Sequence, residues 1–318
     1  MGVLVVTSDR FALHDTGRWH PERAARLTAT AAALGDPEFE GALRVVEPRE
    51  ATDAELRSVH TAEHIGRIRV VCSSGGGALD ADTPVVAASL PAALAGAGSG
   101  LRAIEEVEAD RDAAPPGGDG DLDAAFCVVR PPGHHATAST AMGFCLFNNA
   151  AIAAMHARAK HGAERVAVID FDVHHGNGTQ DIFWDQKDLF YGSTHQMPLF
   201  PGTGATDETG VGNIFNAPLH PGDDGVAFRD AMDVRILPAL EKHRPDLIII
   251  SAGFDAHERD PLANINLTED DFAWVTRRLM DIADKQCDGR VVSVLEGGYD
   301  LMGLSLGVAA HVRALMGS

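Results

Sequence analysis

Residues 166–179 read VAVIDFDVHHGNGT: a short β-branched apolar run that turns abruptly polar at Asp170. A run that is apolar on both faces suits a central strand of a parallel sheet covered by helices on each side. In such sheets ligands bind beyond the carboxyl ends of the strands. Three other predicted strands end in the same manner. Ala125–Val129 runs into RPPGHH (130–135), Leu247–Ala252 into SAGFDAH (251–257), and Val291–Leu295 into EGGYD (296–300). Val3–Thr7 and Leu189–Thr194 read as further strands. Between the strands lie amphipathic stretches predicted as helices, over Glu22–Leu34, Thr61–Cys72, Leu90–Ala109, Asn149–His161, Val226–His243, Glu269–Cys287 and Leu301–Met316. This alternation predicts an α/β fold with right-handed crossovers. Thr268 followed by Glu269, Asp270 and Asp271 marks a helix start, with acidic residues at the positive end of the dipole.

The 318 residues carry 26 Lys and Arg against 46 Asp and Glu, and 26 − 46 gives a formal charge of −20. At 45% hydrophobic and 23% charged the composition is that of an ordinary globular protein, not of a disordered or low-complexity chain. The acidic excess argues against a nucleic-acid partner, since phosphate binding needs a basic patch. No apolar run is long enough to span a membrane, and the N-terminus reads as a first strand and not a signal peptide. Cys72, Cys127, Cys145 and Cys287 are scattered without a CxxC pair, which favours a reducing, cytoplasmic setting. The linker-like stretch 110–123, DRDAAPPGGDGDLD, is expected to be a surface loop within a single domain spanning 1–318, because strands of one type occur on both sides of it.

Asp170, Asp172 and His174 are spaced i, i+2, i+4 and point to one side of an extended chain. Asp255, at another strand end, completes a trio of Asp172, His174 and Asp255, the three protein ligands with an open position that a catalytic metal site requires. His134 and His135 cannot comfortably both be cationic. Asp170 is the anionic candidate partner that would charge one of them, while Asn177 offers the other only a neutral hydrogen bond, leaving it to titrate near neutral pH. Tyr299, on a loop freed by Gly297 and Gly298, is the candidate donor to an oxyanion. There is no GxSxG elbow, no GxxxxGK[ST] loop and no GxGxxG in a strand–turn–helix setting.

On HPER (20–23), RPPGHHA (130–136), GFCLFNN (143–149), DFDVHHGNGT (170–179), PGTG (201–204), SAGFDAH (251–257) and LEGGYD (295–300), the chain resembles the zinc-dependent histone deacetylase family, in its class II-like branch with bacterial deacetylases, acetoin-utilisation proteins and acetylpolyamine amidohydrolases. The resemblance implies an arginase-like single domain with a roughly eight-stranded, mostly parallel sheet. It implies that Asp172, His174 and Asp255 hold zinc, with iron(II) or another divalent ion able to use the same donors. His135 becomes the general base and acid, and His134, paired to Asp170, its electrostatic neighbour. Asn177 stands where class I relatives carry Asp. Tyr299 polarises the amide carbonyl. By the same resemblance Gly143, Phe144 and Phe200 wall the acyl-lysine tunnel, Asp82 holds the substrate backbone, Asp170, Asp172 and Ser193 hold a structural potassium ion, and Arg23 lines an internal acetate channel. Leu262 stands where polyamine-selective relatives carry a gatekeeper glutamate, which favours an acyl-lysine peptide or protein as substrate over acetylpolyamines or other small amides. A ureohydrolase on the same fold and a non-catalytic acyl-lysine binder are the rival readings, and the sequence leaves a homo-oligomer open.

Overall fold

The computed structural model describes residues 2–113 and 122–317. Its strands are β1 (Gly2–Val6), β2 (Leu43–Val46), β3 (Gly76–Ala78), β4 (Pro84–Val86), β5 (Leu122–Cys127), β6 (Val166–Asp170), β7 (Leu189–Gln196), β8 (Ile214–Leu219), β9 (Leu247–Ala252) and β10 (Val291–Leu295). β3 and β4 form a small antiparallel hairpin. The other eight make one sheet in the order β2-β1-β5-β10-β9-β6-β7-β8, with every neighbouring pair parallel.

The helices are α1 (Ala25–Leu34), α2 (Asp53–Leu56), α3 (Ala62–Ser73), α4 (Ser89–Ala113), α5 (Asn149–Lys160), α6 (Asn177–Phe183), α7 (Gly225–Ala231), α8 (Leu237–His243), α9 (Glu269–Gln286) and α10 (Leu301–Leu315). The two-residue period of β1 divides the core. Leu4 and Val6 join residues of α3, α4 and α5 on one face, while Val3 and Val5 join residues of α1, α8, α9 and α10 on the other. The chain is thus one α/β domain of arginase-like architecture, as expected. Among the described residues no helix is long and apolar enough to cross a membrane.

Several boundaries differ from the sequence expectation, each for a local reason. The first predicted helix begins at Ala25 instead of Glu22, because the Glu22 carboxylate is drawn inward to two arginines. The stretch 226–243 is not one uniform helix. α7 and α8 are joined by a π turn over Met232–Ile236, and the wider turn accommodates Pro238, which has no N–H to donate and whose ring crowds the preceding turn. Both ends of the expected 110–123 loop belong to regular elements. α4 continues through Ala113, β5 begins at Leu122, and residues 114–121 lie outside the described residues. α9 starts after Thr268, as the sequence indicated, with Asp271 Oδ2 accepting from Thr268 N (2.9 Å) and Thr268 Oγ1 (3.2 Å).

Candidate active site

The strand order brings the polar clusters together. The four strands singled out by their endings, β5, β10, β9 and β6, are consecutive neighbours at the centre of the sheet. Their carboxyl ends therefore deliver RPPGHH, EGGYD, SAGFDAH and DFDVHH to one place.

Asp172 and His174 lie just past β6, and Asp255 lies just past β9. His174 Nδ1 is 3.1 Å from Asp172 Oδ1 and 3.0 Å from Asp255 Oδ2, and one donor atom from each of the three falls within 4.8 Å of the others. Backbone N–H groups fix the carboxylates in place: Gly297 donates to Asp172 Oδ2 (2.8 Å), His174 to Asp172 Oδ1 (2.9 Å) and Val173 to Asp255 Oδ1 (2.9 Å). Both carboxylates are fully buried. Burial, reinforced by the neighbouring Asp172, pushes the Asp255 pKa up to about 7. Asp172 is also buried, but His134 and His174 hold its pKa well below the usual carboxylate range. Two buried carboxylates and an imidazole converging on one point form a donor set of net charge −2 that suits a divalent cation. The residues fit the metal the resemblance implies.

His134 and His135 sit side by side, ring centroids 4.0 Å apart, with different partners. His134 Nδ1 donates to Asp170 Oδ2 at 3.0 Å, and the Tyr191 hydroxyl donates to the same oxygen at 3.0 Å. His135 Nδ1 donates to Asn177 Oδ1 at 2.8 Å. Burial disfavours charge on both rings. For His134 the carboxylates of Asp172 and Asp170 overcome it and hold the pKa well above 6.5. For His135 the His134 cation adds to burial and drives the pKa well below 6.5. At neutral pH the pair is one imidazolium beside one neutral imidazole, as their partners suggested, but burial and the His134 cation take His135 well below the near-neutral titration expected of it.

Tyr299 is half-buried between Phe144, edge-on at 5.9 Å, and the Arg26 guanidinium, 5.2 Å from its ring centroid. Burial and the nearby Asp255 raise its pKa well above 10, so the phenol keeps its proton. Phe200 faces His135 (5.1 Å) and His174 (6.5 Å), while Phe144 lies against Tyr299 and His20. Gly143, at φ +56°, lies where a Cβ would come within 2.5 Å of the His135 ring and 3.0 Å of Phe200. Asp82 is exposed; its carbonyl bonds to His20 Nε2 (3.1 Å), and the adjacent Thr83 hydroxyl accepts from Phe144 N (3.1 Å). Leu262 is half-buried and its N–H is held by Asp260 (3.0 Å). Asp170 pairs across the sheet with Ser193 of β7; the Ser193 hydroxyl bonds to His195 Nδ1 at 2.9 Å, and Asp172 N donates to Asp170 Oδ1 at 3.2 Å.

One expectation is corrected. Arg23 is exposed, and the buried arginines are Arg26 and Arg130, both fully enclosed around the equally enclosed Glu22. Arg26 Nη1 donates to Glu22 Oε1 (3.0 Å) and Arg130 Nη2 to Glu22 Oε2 (2.8 Å). Arg26 also reaches the carbonyls of Gly298 and Glu296, supporting the Tyr299 loop from below. The i, i+4 spacing of Glu22 and Arg26 was the available signal. Glu296 was also missed: its Oε2 accepts from Gly133 N (2.7 Å) and His134 N (3.2 Å), anchoring the histidine turn.

A family model described as "Histone deacetylase domain" matches residues 20–315. The chain belongs to the histone deacetylase family. It is similar to "Histone deacetylase 14, chloroplastic" of Arabidopsis thaliana (37% identity, 94% of this chain and 73% of the relative) and to a "Probable deacetylase" of Archaeoglobus fulgidus (38% identity, 94% and 82%). The crystal structure of the HDA15 HD domain superposes with a TM-score of 0.91 at 36% identity, covering all of this chain and 90% of that one. Membership of this family places the chain among deacetylase-type hydrolases, and the described trio supplies a possible metal-binding group.

Proposed function

We propose that the protein hydrolyses an N-acyl amide, acetyl-lysine in a peptide or protein foremost, with Asp172, His174 and Asp255 holding a catalytic divalent ion, zinc by preference. The observation that carries this reading is the differently partnered His134–His135 pair beside the Asp-His-Asp set. A divalent ion held there supplies Lewis-acid stabilisation of the negative charge that develops on the amide oxygen.

The chain's own groups complete the reaction. Because His135 Nδ1–H is committed to Asn177, Nε2 is left free to take a proton from the attacking water. The water oxygen bonds to the acyl carbon while Tyr299 Oη–H donates to the carbonyl oxygen. The carbon–nitrogen bond then breaks, and the proton held on His135 passes to the departing amine. His134, kept cationic by Asp172 and Asp170, steadies the negative charge without leaving its partner Asp170. Phe144 and Phe200 offer apolar walls to a linear acyl-lysine stem, and Leu262 offers no charge to a distal ammonium.

A structural potassium ion on Asp170, Asp172 and Ser193 belongs to the same proposal, supported by the pairing of Asp170 with Ser193. So does a cytoplasmic location, supported by four free, separately buried cysteines. The second reading, an acetylpolyamine amidohydrolase, draws on the formal charge of −20 and the exposed Asp82. Measuring kcat/KM of the metal-reconstituted protein on an acetyl-lysine peptide and on N-acetylputrescine separates the two. The first reading expects the peptide to be preferred; a clear preference for the polyamine replaces it with the second.

A further inference from the structure

The Tyr299 loop does not hold itself in place. It follows Gly297 and Gly298, and Gly298 sits at φ +121°, a conformation open to glycine. Arg26 and Asp172 hold its glycine end, and the backbone of Tyr299 itself is gripped by a side chain from another loop. The Asp260 carboxylate, only 8% exposed, accepts at Oδ2 from Tyr299 N (2.7 Å) and from Asp300 N (3.1 Å). Its Oδ1 accepts from Leu262 N (3.0 Å). One carboxylate therefore joins the segment bearing Leu262 to the backbone of Tyr299. The Arg259–Asp300 ion pair (3.1 Å) makes a second, more exposed link between the same two segments.

Burying a carboxylate without a counter-cation is costly unless hydrogen-bond donors surround it. Among the described residues no side-chain cation pairs with Asp260, and its burial is compensated by those three backbone N–H groups. A neutral residue with one acceptor would satisfy only part of this set. An apolar one would leave three N–H groups without their acceptor.

We propose that Asp260 is a positioning residue: it fixes the Tyr299 backbone so that the phenol is presented to the amide oxygen, and it ties that placement to the Leu262 segment. Asp260 touches neither substrate nor reacting atoms and acts through Tyr299. The inference rests on the deacetylase reading of the site.

The test uses Asp260→Asn, in which one acceptor oxygen becomes an N–H donor facing the same backbone N–H groups. The expected result is a protein that folds and binds one zinc, with kcat reduced about tenfold or more and KM for an acetyl-lysine peptide little changed. Amide hydrogen exchange over Gly297–Met302 rises, a readout that needs no substrate. Added to Tyr299→Phe, the same change costs little further rate, because its effect is already lost. An equal loss in both backgrounds, or unchanged exchange over Gly297–Met302, overturns the proposal. If Asp260→Asn does not fold, Asp260→Glu, which keeps the charge but displaces the acceptor, is held to the same readouts. A wild-type protein that hydrolyses no acyl-lysine substrate removes the deacetylase reading, while the exchange measurement still decides whether Asp260 is the tether.

Discussion

Replacing Glu22 by Gln leaves two enclosed guanidiniums without their shared anion. Glu22, Arg26 and Arg130 are all fully buried, and both arginines bond directly to the Glu22 carboxylate. Burial on its own would raise the pKa of this carboxyl, but Arg130 and Arg26 outweigh it and bring it from 4.5 down to about 2. At about 1.4 kcal/mol per pKa unit, that difference makes the ionised group worth roughly 3 kcal/mol to the fold. Removing one partner of a buried ion pair costs about 3–5 kcal/mol by an independent route. At about 2 °C per kcal/mol for a large domain, the melting temperature of Glu22→Gln at pH 7 falls by about 6–10 °C. The pH dependence has a definite sign. A depressed folded-state pKa gives stability that is fully present above about 4.5 and is lost as the pH falls through about 2. The gap between wild type and variant, measured by urea unfolding, should hold steady from pH 7 to pH 5 and narrow below. Turnover should also drop at temperatures where the variant is folded, because Arg26 supports the Gly298 carbonyl and lies against Tyr299. A variant melting within about 2 °C of wild type at pH 7 would refute this account of the buried triad.

Tyr299→Phe and His135→Ala should each keep the fold and the metal while losing about ten- to ten-thousand-fold in turnover, and near-normal kcat in either would remove its assigned role. Gly143→Ala combines a positive φ with a Cβ only 2.5 Å from the His135 ring, so kcat/KM should fall about a hundredfold; full activity in the Gly143→Ala variant would contradict the tight wall. The acid limb of the kcat/KM–pH profile should lie below 6.5. Protonating His135 removes the base, and burial with the His134 cation holds its pKa well under that value. An acid limb above 6.5 would show that another group is titrating.

The sheet was legible where its strands are short, β-branched and closed by a polar cluster. β8 was not, because Asn216 and Pro218 interrupt its pattern; it lies at the sheet edge, where a proline is tolerated. β2 is only four residues long, at the opposite edge. The four decisive strand ends were visible, but not that they are adjacent, since strand order is set by long-range pairing and not by local pattern. Asp170 and Asn177 are matched to the two histidines by residue type alone, and the structure brings those side chains together. Arg23 is taken from the HPER match to the family, which gives no sign that Arg26 is the enclosed one. Once Glu22 turns inward and the helix begins at Ala25, Arg26 points into the core and Arg23 outward. Asp260 and Glu296 gave no signal, because their partners are backbone N–H groups on distant loops.

Acetate release from an acetyl-lysine peptide, followed as zinc is returned to the metal-stripped protein, tests the central claim most directly when Asp255→Ala is carried alongside. The account predicts no turnover from the stripped protein, recovery that saturates at one equivalent of zinc, and neither binding nor turnover in Asp255→Ala. Acetate release that persists without metal, or full zinc occupancy in Asp255→Ala, would contradict it.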